Sequence, residues 1–184
     1  MSSKTSLPFQ MTLQVKDACL CLHAQRAARA LARCFDEVFR PLGLTNGQFS
    51  LMMSLNRPSP PIMGQVAELL SMNRTTLTAA LKPLIKRGLV IVQIDSEDRR
   101  KQRLALSSAG MSLLVEAYPV WVKTHGEIEA LLRDHDPDAL RRALAFLSFR
   151  LDSMILSESS SVAASQPEGT LGASTHESSD LGRA

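Results

Sequence analysis

The sequence lacks the features that would place the chain in a membrane or outside the cell. No apolar run approaches the roughly 20 residues that a helix needs to span a bilayer. The N-terminus, MSSKTSLPFQMT, has no basic region followed by a long apolar stretch and a small-residue cleavage site, as a signal peptide would. We therefore expect a cytoplasmic protein with no membrane partner. Cysteine is also scarce, and three cysteines in a cytoplasmic chain favour free thiols over a disulfide framework.

Catalytic and metal-binding motifs are missing as well. The chain has no Gly-rich phosphate loop, no G-x-S-x-G and no paired carboxylates beside a plausible base. His23, His125 and His135 are dispersed, and no set of His, Cys, Asp and Glu has metal-ligand spacing on one helix. We expect neither an enzyme nor a bound metal or other cofactor. A thiol enzyme that uses Cys34 is the main enzymatic alternative, although no activating His lies near it in sequence.

Positive charge is concentrated in the middle of the chain. The formal net charge is +3, and an apolar fraction of 45% permits a packed core. From residue 157 onward the chain has one cation and four acids, a net charge of −3, so residues 1–156 carry +6. A net charge of this size also serves simple solubility. Its placement is more informative, because much of it lies between Arg74 and Arg103.

Residues 73–88 have the pattern of one amphipathic helix. Asn73 can cap the first backbone N–H groups, and Gly88 can take the left-handed conformation just past the last turn. Apolar residues form one stripe at helical spacing: Leu77, Leu81, Leu84 and Ile85. The opposite face carries hydroxyls and cations: Arg74, Thr75, Thr78, Lys82 and Lys86. A solvated face needs only polar residues of any kind, so a face without acids favours an anionic partner.

The segments on either side of this helix complete a known DNA-binding arrangement. A short helix over residues 63–70 precedes it, which gives a helix-turn-helix. Two short strands, Leu89–Val92 and Arg103–Leu106, follow and flank a hydrophilic loop with a basic tip, Asp95–Gln102. In a winged helix, the second helix enters the major groove while the tip of the β-ribbon reaches phosphates or the minor groove.

Long helices are predicted on both sides of this unit. They run from about Val15 to Phe39, from about Ala109 to Leu132, and from an Asp136-Pro137 start to about Leu156. Thr45 and Gln48 form a capping box for a further helix over residues 46–55. The flanking helices are too apolar, and too far apart in sequence, to be extensions of the central unit. Pairing them with those of a second copy would bury them in a twofold homodimer.

The predicted fold class is mainly α with a small β-wing: a winged helix-turn-helix between long N- and C-terminal dimerisation helices. Two winged helices in one dimer suit double-stranded DNA with a pseudo-palindromic operator. The chain divides into a flexible arm (1–12), an N-terminal dimerisation helix (13–43), a winged helix-turn-helix DNA-binding region (44–107), C-terminal dimerisation helices (108–156) and a disordered tail (157–184).

Several short motifs occur in a fixed order along the chain. They are Arg40-Pro41-Leu42-Gly43-Leu44-Thr45 leading to Gln48-Phe49, then Asn73-Arg74-Thr75-Thr76-Leu77-Thr78, Leu84-Ile85-Lys86-Arg87-Gly88-Leu89-Val90 and Asp98-Arg99-Arg100, followed by Leu104, Leu106, Ser107 and Gly110. In this order and at this spacing, they resemble the MarR family of bacterial winged-helix transcriptional regulators. The resemblance covers residues 15–156. The sequence departs from the family's usual pattern at Ser71, where Gly is common, and at Ala79 and Ala80, where relatives often place a cation or an amide.

The resemblance implies a homodimer built from the terminal helices, a recognition helix that starts near Asn73 and a wing arginine, Arg100, that enters the minor groove. It also implies a repressor that leaves DNA when a small, often aromatic, ligand or an oxidant acts on it. In the family layout the ligand cleft lies between the dimer body and the DNA-binding unit. The residues expected to line it are His23, Arg26, Phe49, Met52 and Met53.

DNA contacts are predicted from both the helix and the ribbon. The threonines can touch base edges or thymine methyls, while Lys82 and Lys86 suit phosphates. Asp98 would orient Arg100 rather than act as a catalytic acid. The predicted set is Asn73, Arg74, Thr75, Thr76, Thr78, Lys82, Lys86, Asp98, Arg99, Arg100, Lys101 and Arg103. The alternatives are a solvated helix face, an ordinary polar hairpin, or a winged helix used only for protein contacts, which would expect an apolar or acidic face.

The cysteines are candidates for a redox function. On a continuous helix, Cys19 and Cys21 lie about 200° apart around the axis, so they cannot share a metal. Cys34 is only about 60° from Cys19 in azimuth but about four turns along the axis, which makes a bond within one chain implausible. A disulfide across the dimer or a sulfenic-acid sensor remains open. The alternative is that each thiol is a small buried apolar group.

Overall fold

A computed structural model describes residues 6–164 of the chain, and the side chains of residues 152 and 155–164 are not described. Two compact units are present, one up to Leu131 and the other from Leu132 onward. The first unit contains α1 (Phe9–Ala18), α2 (Leu20–Phe39), a 3-10 turn (Arg40–Leu42), α3 (Asn46–Leu55), α4 (Met63–Leu69), α5 (Arg74–Lys86), β1 (Val90–Ile94), β2 (Gln102–Leu106) and α6 (Ser108–Ala130); the second contains α7 (Pro137–Ala164). The predicted fold class, mainly α with a two-stranded wing, is confirmed.

The first long helix is interrupted at Cys19. The prediction of one helix from about Val15 to Phe39 is wrong there, and helix already begins at Phe9, inside the segment predicted as a flexible arm. Cys19 has extended backbone, and its Sγ accepts the Leu22 N–H at 3.4 Å. The His23 ring nitrogen Nε2 lies 3.3 Å from the Asp17 carbonyl oxygen. The break between α1 and α2 therefore contains no Gly or Pro, and the Cys19 thiol caps the start of α2.

The core of the first unit gathers apolar side chains from seven of its elements. Phe39 of α2 stacks on Phe49 of α3, with ring centroids 4.7 Å apart, and Phe49 stacks on Trp121 of α6 at 6.5 Å. The largest fully buried side chains are Phe39, Leu51, Met52, Val66, Leu77, Leu81, Leu84 and Leu104. Three of them, Leu77, Leu81 and Leu84, form the apolar stripe predicted for the recognition helix, whereas Ile85 is 40% exposed and does not belong to the stripe.

Local capping motifs set where the helices of the helix-turn-helix begin and end. The capping box of Thr45 and Gln48 at the start of α3 is confirmed. Asn73 caps α5, because its Oδ1 accepts the Thr76 N–H at 2.8 Å, and Gly88 has φ +69° just past the last turn. In the turn between α4 and α5, Ser71 has φ +48°, a left-handed conformation that favours glycine.

The wing is a two-stranded antiparallel sheet in which Val90 pairs with Leu106 and Ile94 with Gln102. Both strands are slightly longer than predicted, at Val90–Ile94 and Gln102–Leu106. The side chain of Ser107 then caps α6 by accepting the Gly110 N–H at 3.0 Å. Helix α6 continues through Pro119 and ends near the predicted boundary.

The second unit is dominated by α7. Its start is as predicted, because the Asp136 carboxylate accepts the Asp138 N–H at 2.8 Å ahead of Pro137. Helix continues to residue 164, past the predicted end near Leu156. The prediction that residues 157–164 are disordered is therefore wrong. The rest of the predicted disordered tail, residues 165–184, lies outside the described residues. Among the described helices, none is both long enough and apolar enough to cross a membrane.

Candidate nucleic-acid interface

Helix α5 presents one polar, acid-free face to solvent. Its apolar stripe is fully buried, and this burial fixes which side of the helix points outward. The predicted contact residues of this helix are all exposed: Asn73, Arg74, Thr75, Thr76, Thr78, Lys82 and Lys86. The Thr78 hydroxyl donates to the Arg74 carbonyl oxygen at 2.7 Å, which leaves its oxygen lone pairs as acceptors. The side-chain oxygen of Asn73 accepts the hydrogen bond of the helix cap, so the side-chain NH2 group is the part of Asn73 that can donate to a bound partner.

At the tip of the wing, Asp98 pairs with Arg100, as predicted. One carboxylate oxygen of Asp98 accepts the Arg100 backbone N–H at 3.1 Å and lies 3.2 Å from Arg100 Nε, while the other lies 3.5 Å from Lys101 Nζ. The bonds from the Arg100 side chain and backbone hold the pKa of Asp98 below its ordinary value. Arg100 nevertheless has a side chain that is 91% exposed, and Arg99 beside it is also exposed. Asp98 therefore restrains Arg100 from one side without covering it.

The recognition helix and the wing tip meet at one cavity. It has a volume of about 240 Å³ and brings Arg74, at the start of α5, together with Arg100 and Lys101 of the wing. Its other lining residues are Ile62, Met63, Gly64, Ala67 and Gln102. Three cations from two separate elements thus border the same concave surface, which suits a polyanionic backbone.

Arg103 lies in a different environment from the other predicted contacts. Its Nε pairs with the Asp95 carboxylate, and its Nη1 donates to the Pro60 carbonyl oxygen at 2.9 Å. Sequence reasoning missed Asp95, which is only 3% exposed and has a pKa lowered by the N–H groups of Asp98 and Glu97 and by Arg103. The run Asp95-Ser96-Glu97-Asp98 is typical of a turn in which an Asp side chain accepts nearby backbone N–H groups, and this pattern could have identified it.

The five predicted ligand-lining residues do not share one open cleft in this protomer. Phe49 and Met52 are buried in the core, with exposures of 4% and 0%, whereas His23 and Arg26 are exposed on α2. Met53 borders a cavity of about 290 Å³, and the other lining residues are Asn56, Met111, Leu114, Val115 and Tyr118. Met53 is therefore the predicted residue that reaches this cavity, and the residues of α6 that complete it were missed.

The three cysteines are free thiols. Cys19 is half-buried at the junction of α1 and α2 rather than on a continuous helix as expected, and Cys21 and Cys34 are exposed on α2. The Cys21 Sγ accepts a hydrogen bond from Gln25 Nε2 at 3.1 Å. Within the described part of the chain, no group of three or more His, Cys, Asp or Glu side chains could hold a metal ion.

Known proteins share this arrangement. A family model described as the MarR family matches residues 44–101. The M. tuberculosis transcriptional regulator MosR, in a crystal structure with DNA, is 33% identical; the match covers 74% of this chain and 98% of MosR, with a TM-score of 0.68. The transcriptional repressor CouR of Rhodococcus jostii RHA1, bound to a 23-mer DNA duplex, is 27% identical over 78% of this chain and 99% of CouR, with a TM-score of 0.64.

A further relative, the uncharacterized HTH-type transcriptional regulator YwoH of Bacillus subtilis, is 26% identical over 62% of this chain and 82% of its own length. These proteins are named as transcriptional regulators rather than enzymes. Their agreement with the exposed basic face of α5 and the wing identifies the chain as a DNA-binding transcriptional regulator. The chain belongs to the MarR family.

Proposed function

We propose that the protein is a homodimeric, cytoplasmic repressor that binds a pseudo-palindromic operator in double-stranded DNA and is released by a small ligand or by oxidation. The observation that carries the proposal is the cavity shared by α5 and the wing, where Arg74, Arg100 and Lys101 border one concave surface. A regulator that uses its winged helix for protein contacts has no need of cations from two elements at one place.

The proposed contacts divide by chemistry. Thr75, Thr76 and Thr78 lie on the exposed face of α5, where hydroxyls and methyls can meet base edges in the major groove. The remaining proposed contacts of α5 are Asn73, Arg74, Lys82 and Lys86, which suit phosphates or, for Asn73, a base edge. At the wing the proposed contacts are Arg99, Arg100 and Lys101, with Asp98 orienting Arg100.

The exposed apolar side chains of a single protomer support the homodimer. Helix α1 buries none of its residues, and its apolar side chains include Phe9 at 67% and Val15 at 60% exposure. Helix α7 likewise exposes large apolar groups: Leu140, Leu144, Phe146, Leu147, Phe149, Leu151 and Met154. Apolar side chains exposed along a helix in this way mark a protein–protein interface, and the same helices of a second copy would bury them.

The cavity beside Met53 supports a small effector. Apolar side chains line most of its surface, while Asn56 contributes an amide and Tyr118 an exposed phenol. This combination of apolar walls and few polar groups suits a small aromatic molecule with a polar substituent. Helices α3 and α6 both border the cavity. A bound molecule would therefore act on the packing between α3, which lies in the DNA-binding region, and α6, which follows the wing.

Oxidation is the second proposed release route, and the cysteines of α2 and its junction are its candidates. Cys21 and Cys34 are exposed, so an oxidant can reach them. Cys19 caps α2 through its Sγ, and conversion to a sulfenic acid would alter this bond at the start of α2. Peroxide should release DNA from the wild-type protein and not from the variant that lacks the sensing thiol, tested as Cys19→Ser, Cys21→Ser and Cys34→Ser. Equal release from all three and from the wild type would remove the thiols from the mechanism.

A salt titration of DNA binding tests the proposed function. The purified protein is mixed with a labelled duplex from the region upstream of its own gene, and a random duplex of equal length serves as the control. Binding in the nanomolar range to the upstream duplex alone, with two protomers per duplex, is the expected result. Equal and weak binding to both duplexes that vanishes with salt would contradict recognition of that region. No binding to either duplex at low salt would overturn the DNA-binding proposal.

Arg100→Ala tests the contribution of the wing. Loss of one phosphate or groove contact should weaken binding to every duplex and flatten the plot of log affinity against log salt by about one unit of slope. Glu97→Ala, at an exposed position in the same loop, is the control for loop substitution, and its slope should not flatten. An unchanged slope for Arg100→Ala would show that the wing arginine does not contact DNA.

A further inference from the structure

The wing contains one buried carboxylate, Asp95, at the end of β1. Its Oδ1 accepts the N–H groups of Glu97 at 2.9 Å and Asp98 at 2.8 Å, and its Oδ2 accepts Arg103 Nε. The Asp95 backbone N–H donates to the Lys101 carbonyl oxygen at 3.0 Å, which closes the loop. One residue thus holds both ends of the segment that carries the exposed arginines of the tip.

Arg103 extends this network beyond the wing. Its Nη1 donates to the Pro60 carbonyl oxygen at 2.9 Å, and the next residue, Leu104, donates its N–H to the Pro61 carbonyl oxygen at 2.9 Å. Ile62 forms an isolated antiparallel bridge with Arg103. These hydrogen bonds join the wing to the connector between α3 and α4. That connector leads directly into the helix-turn-helix formed by α4 and α5.

We propose that Arg103 and Asp95 are a positioning pair for DNA binding, and that Arg103 acts through the wing tip rather than by contacting a phosphate itself. The inference rests on the proposed function, since it concerns how the DNA-binding tip is held. Two of the guanidinium's nitrogens are already used, on Asp95 and on Pro60, and its side chain is 36% exposed against 91% for Arg100. The segment that carries the exposed Arg99 and Arg100 is folded around the Asp95 carboxylate.

The sign of one substitution separates positioning from simple electrostatics. Asp95→Asn keeps an oxygen for the two backbone N–H groups but removes the charged partner of Arg103. If charge alone mattered, removing an acid from a DNA-binding loop would tighten binding. The positioning role predicts the opposite, a loss of affinity on the order of tenfold for a labelled random-sequence duplex at low salt.

Glu97→Gln is the matched control, because it removes the same charge two residues away, where the side chain is exposed. It should leave affinity unchanged or raise it slightly. Weaker binding for Asp95→Asn together with no weakening for Glu97→Gln supports the proposal. Equal or tighter binding for Asp95→Asn would overturn it.

A second comparison separates action through the tip from direct contact. Arg103→Ala is introduced into the wild-type protein and into an Arg99→Ala/Arg100→Ala/Lys101→Ala background, which lacks all three proposed contacts of the tip. A positioning residue loses its effect once the groups that it positions are gone, so the substitution should cost affinity in the first protein and nothing further in the second. The same loss in both proteins would mean that Arg103 contacts DNA directly, and the proposal would be wrong.

Hydrogen exchange provides a readout that does not depend on DNA. The amides of Glu97, Asp98 and Lys101 should exchange at least about tenfold faster in Asp95→Asn and in Arg103→Ala, while amides of α5 keep their protection. Arg99→Ala, which removes a tip cation without touching the network, should leave exchange unchanged. A wild-type protein that bound no DNA would contradict the proposed function but not the effect of Asp95 and Arg103 on the loop. Unchanged amide exchange in both variants would overturn the positioning pair, whether or not the protein binds DNA.

Discussion

Gly110→Ala should destabilise the protein even though it replaces glycine in a helix. Gly110 lies in the first turn of α6, where an added Cβ would lie 2.1 Å from the Leu89 carbonyl oxygen and 3.0 Å from its carbonyl carbon. That carbonyl oxygen also accepts the Ser107 N–H at 3.0 Å, and the Ser107 hydroxyl donates to the Gly88 carbonyl oxygen at 2.6 Å. The obstructing atom is therefore backbone that is fixed by the helix cap.

The expected magnitude follows from two opposing contributions. Alanine in place of glycine gains about 1 kcal/mol from helix propensity. Against this, the contact must open by about 1 Å, and forcing extra atoms into a packed site costs about 1–3 kcal/mol, with about 1 kcal/mol more if the Leu89–Ser107 hydrogen bond breaks. Because the added Cβ would lie 2.1 Å from the accepting Leu89 oxygen, we expect this hydrogen bond to break, and the net prediction is then a loss of about 1–3 kcal/mol in the free energy of unfolding.

Urea unfolding at fixed protomer concentration measures this difference, since the apparent stability of the proposed dimer would depend on concentration. Gly126→Ala is the control in the same helix, because nothing beyond its chain neighbours and the adjacent backbone of its own helix lies within 4 Å of the added Cβ. It should raise the free energy of unfolding by about 0.5–1 kcal/mol. If Gly110→Ala were as stable as Gly126→Ala, the contact between the start of α6 and Leu89 would not have the tight geometry described.

Three further outcomes are expected. Ser71→Gly should raise the free energy of unfolding by about 0.5 kcal/mol, because relief of the left-handed backbone at φ +48° exceeds the entropy that glycine adds to the unfolded chain; urea unfolding measures it. Asn73→Ala should lower the free energy of unfolding by about 1 kcal/mol through loss of the α5 cap, whereas Asn73→Ser, which keeps a cap, should be near neutral in the same assay. The folded-state pKa of Asp95 lies below its ordinary value of 3.8. The stabilisation of the wing by the Asp95 carboxylate is therefore complete above pH 3.8 and is lost as the pH falls through the lower, folded-state pKa. Amide exchange of wing residues measured against pH should show this loss in the wild-type protein and not in Asp95→Asn.

The helix-turn-helix could be predicted from sequence because each boundary depends on residues close to it in the chain. The capping box of Thr45 and Gln48, the Asn73 cap and Gly88 each act within four residues. The apolar stripe of α5 follows from helical periodicity alone, and its outermost member, Ile85, is the one that the pattern placed wrongly. The polar face of α5 was therefore predictable once the buried face was known.

The features that escaped prediction depend on contacts between distant residues or on an unusual cap. Asp95 and Arg103 meet because of the pairing register of β1 and β2, and Pro60 joins them from 43 residues away. The helix break at Cys19 involves a thiol cap, which is weaker than a carboxylate or hydroxyl cap and has no established sequence pattern. Phe49 was expected at a ligand cleft, but stacking on Phe39 and Trp121 keeps it in the core.

The two elements proposed to contact DNA are held in place by different interactions. Helix α5 is fixed by buried Leu77, Leu81 and Leu84, whose packing does not depend on pH and is little affected by salt. The wing tip is fixed by hydrogen bonds and ion pairs around Asp95, which acid removes. Acid strong enough to protonate Asp95, at a pH below its ordinary pKa of 3.8, should therefore release the tip while α5 keeps its place. A protein in that state should retain the contribution of α5 to DNA binding and lose only the part that the wing supplies.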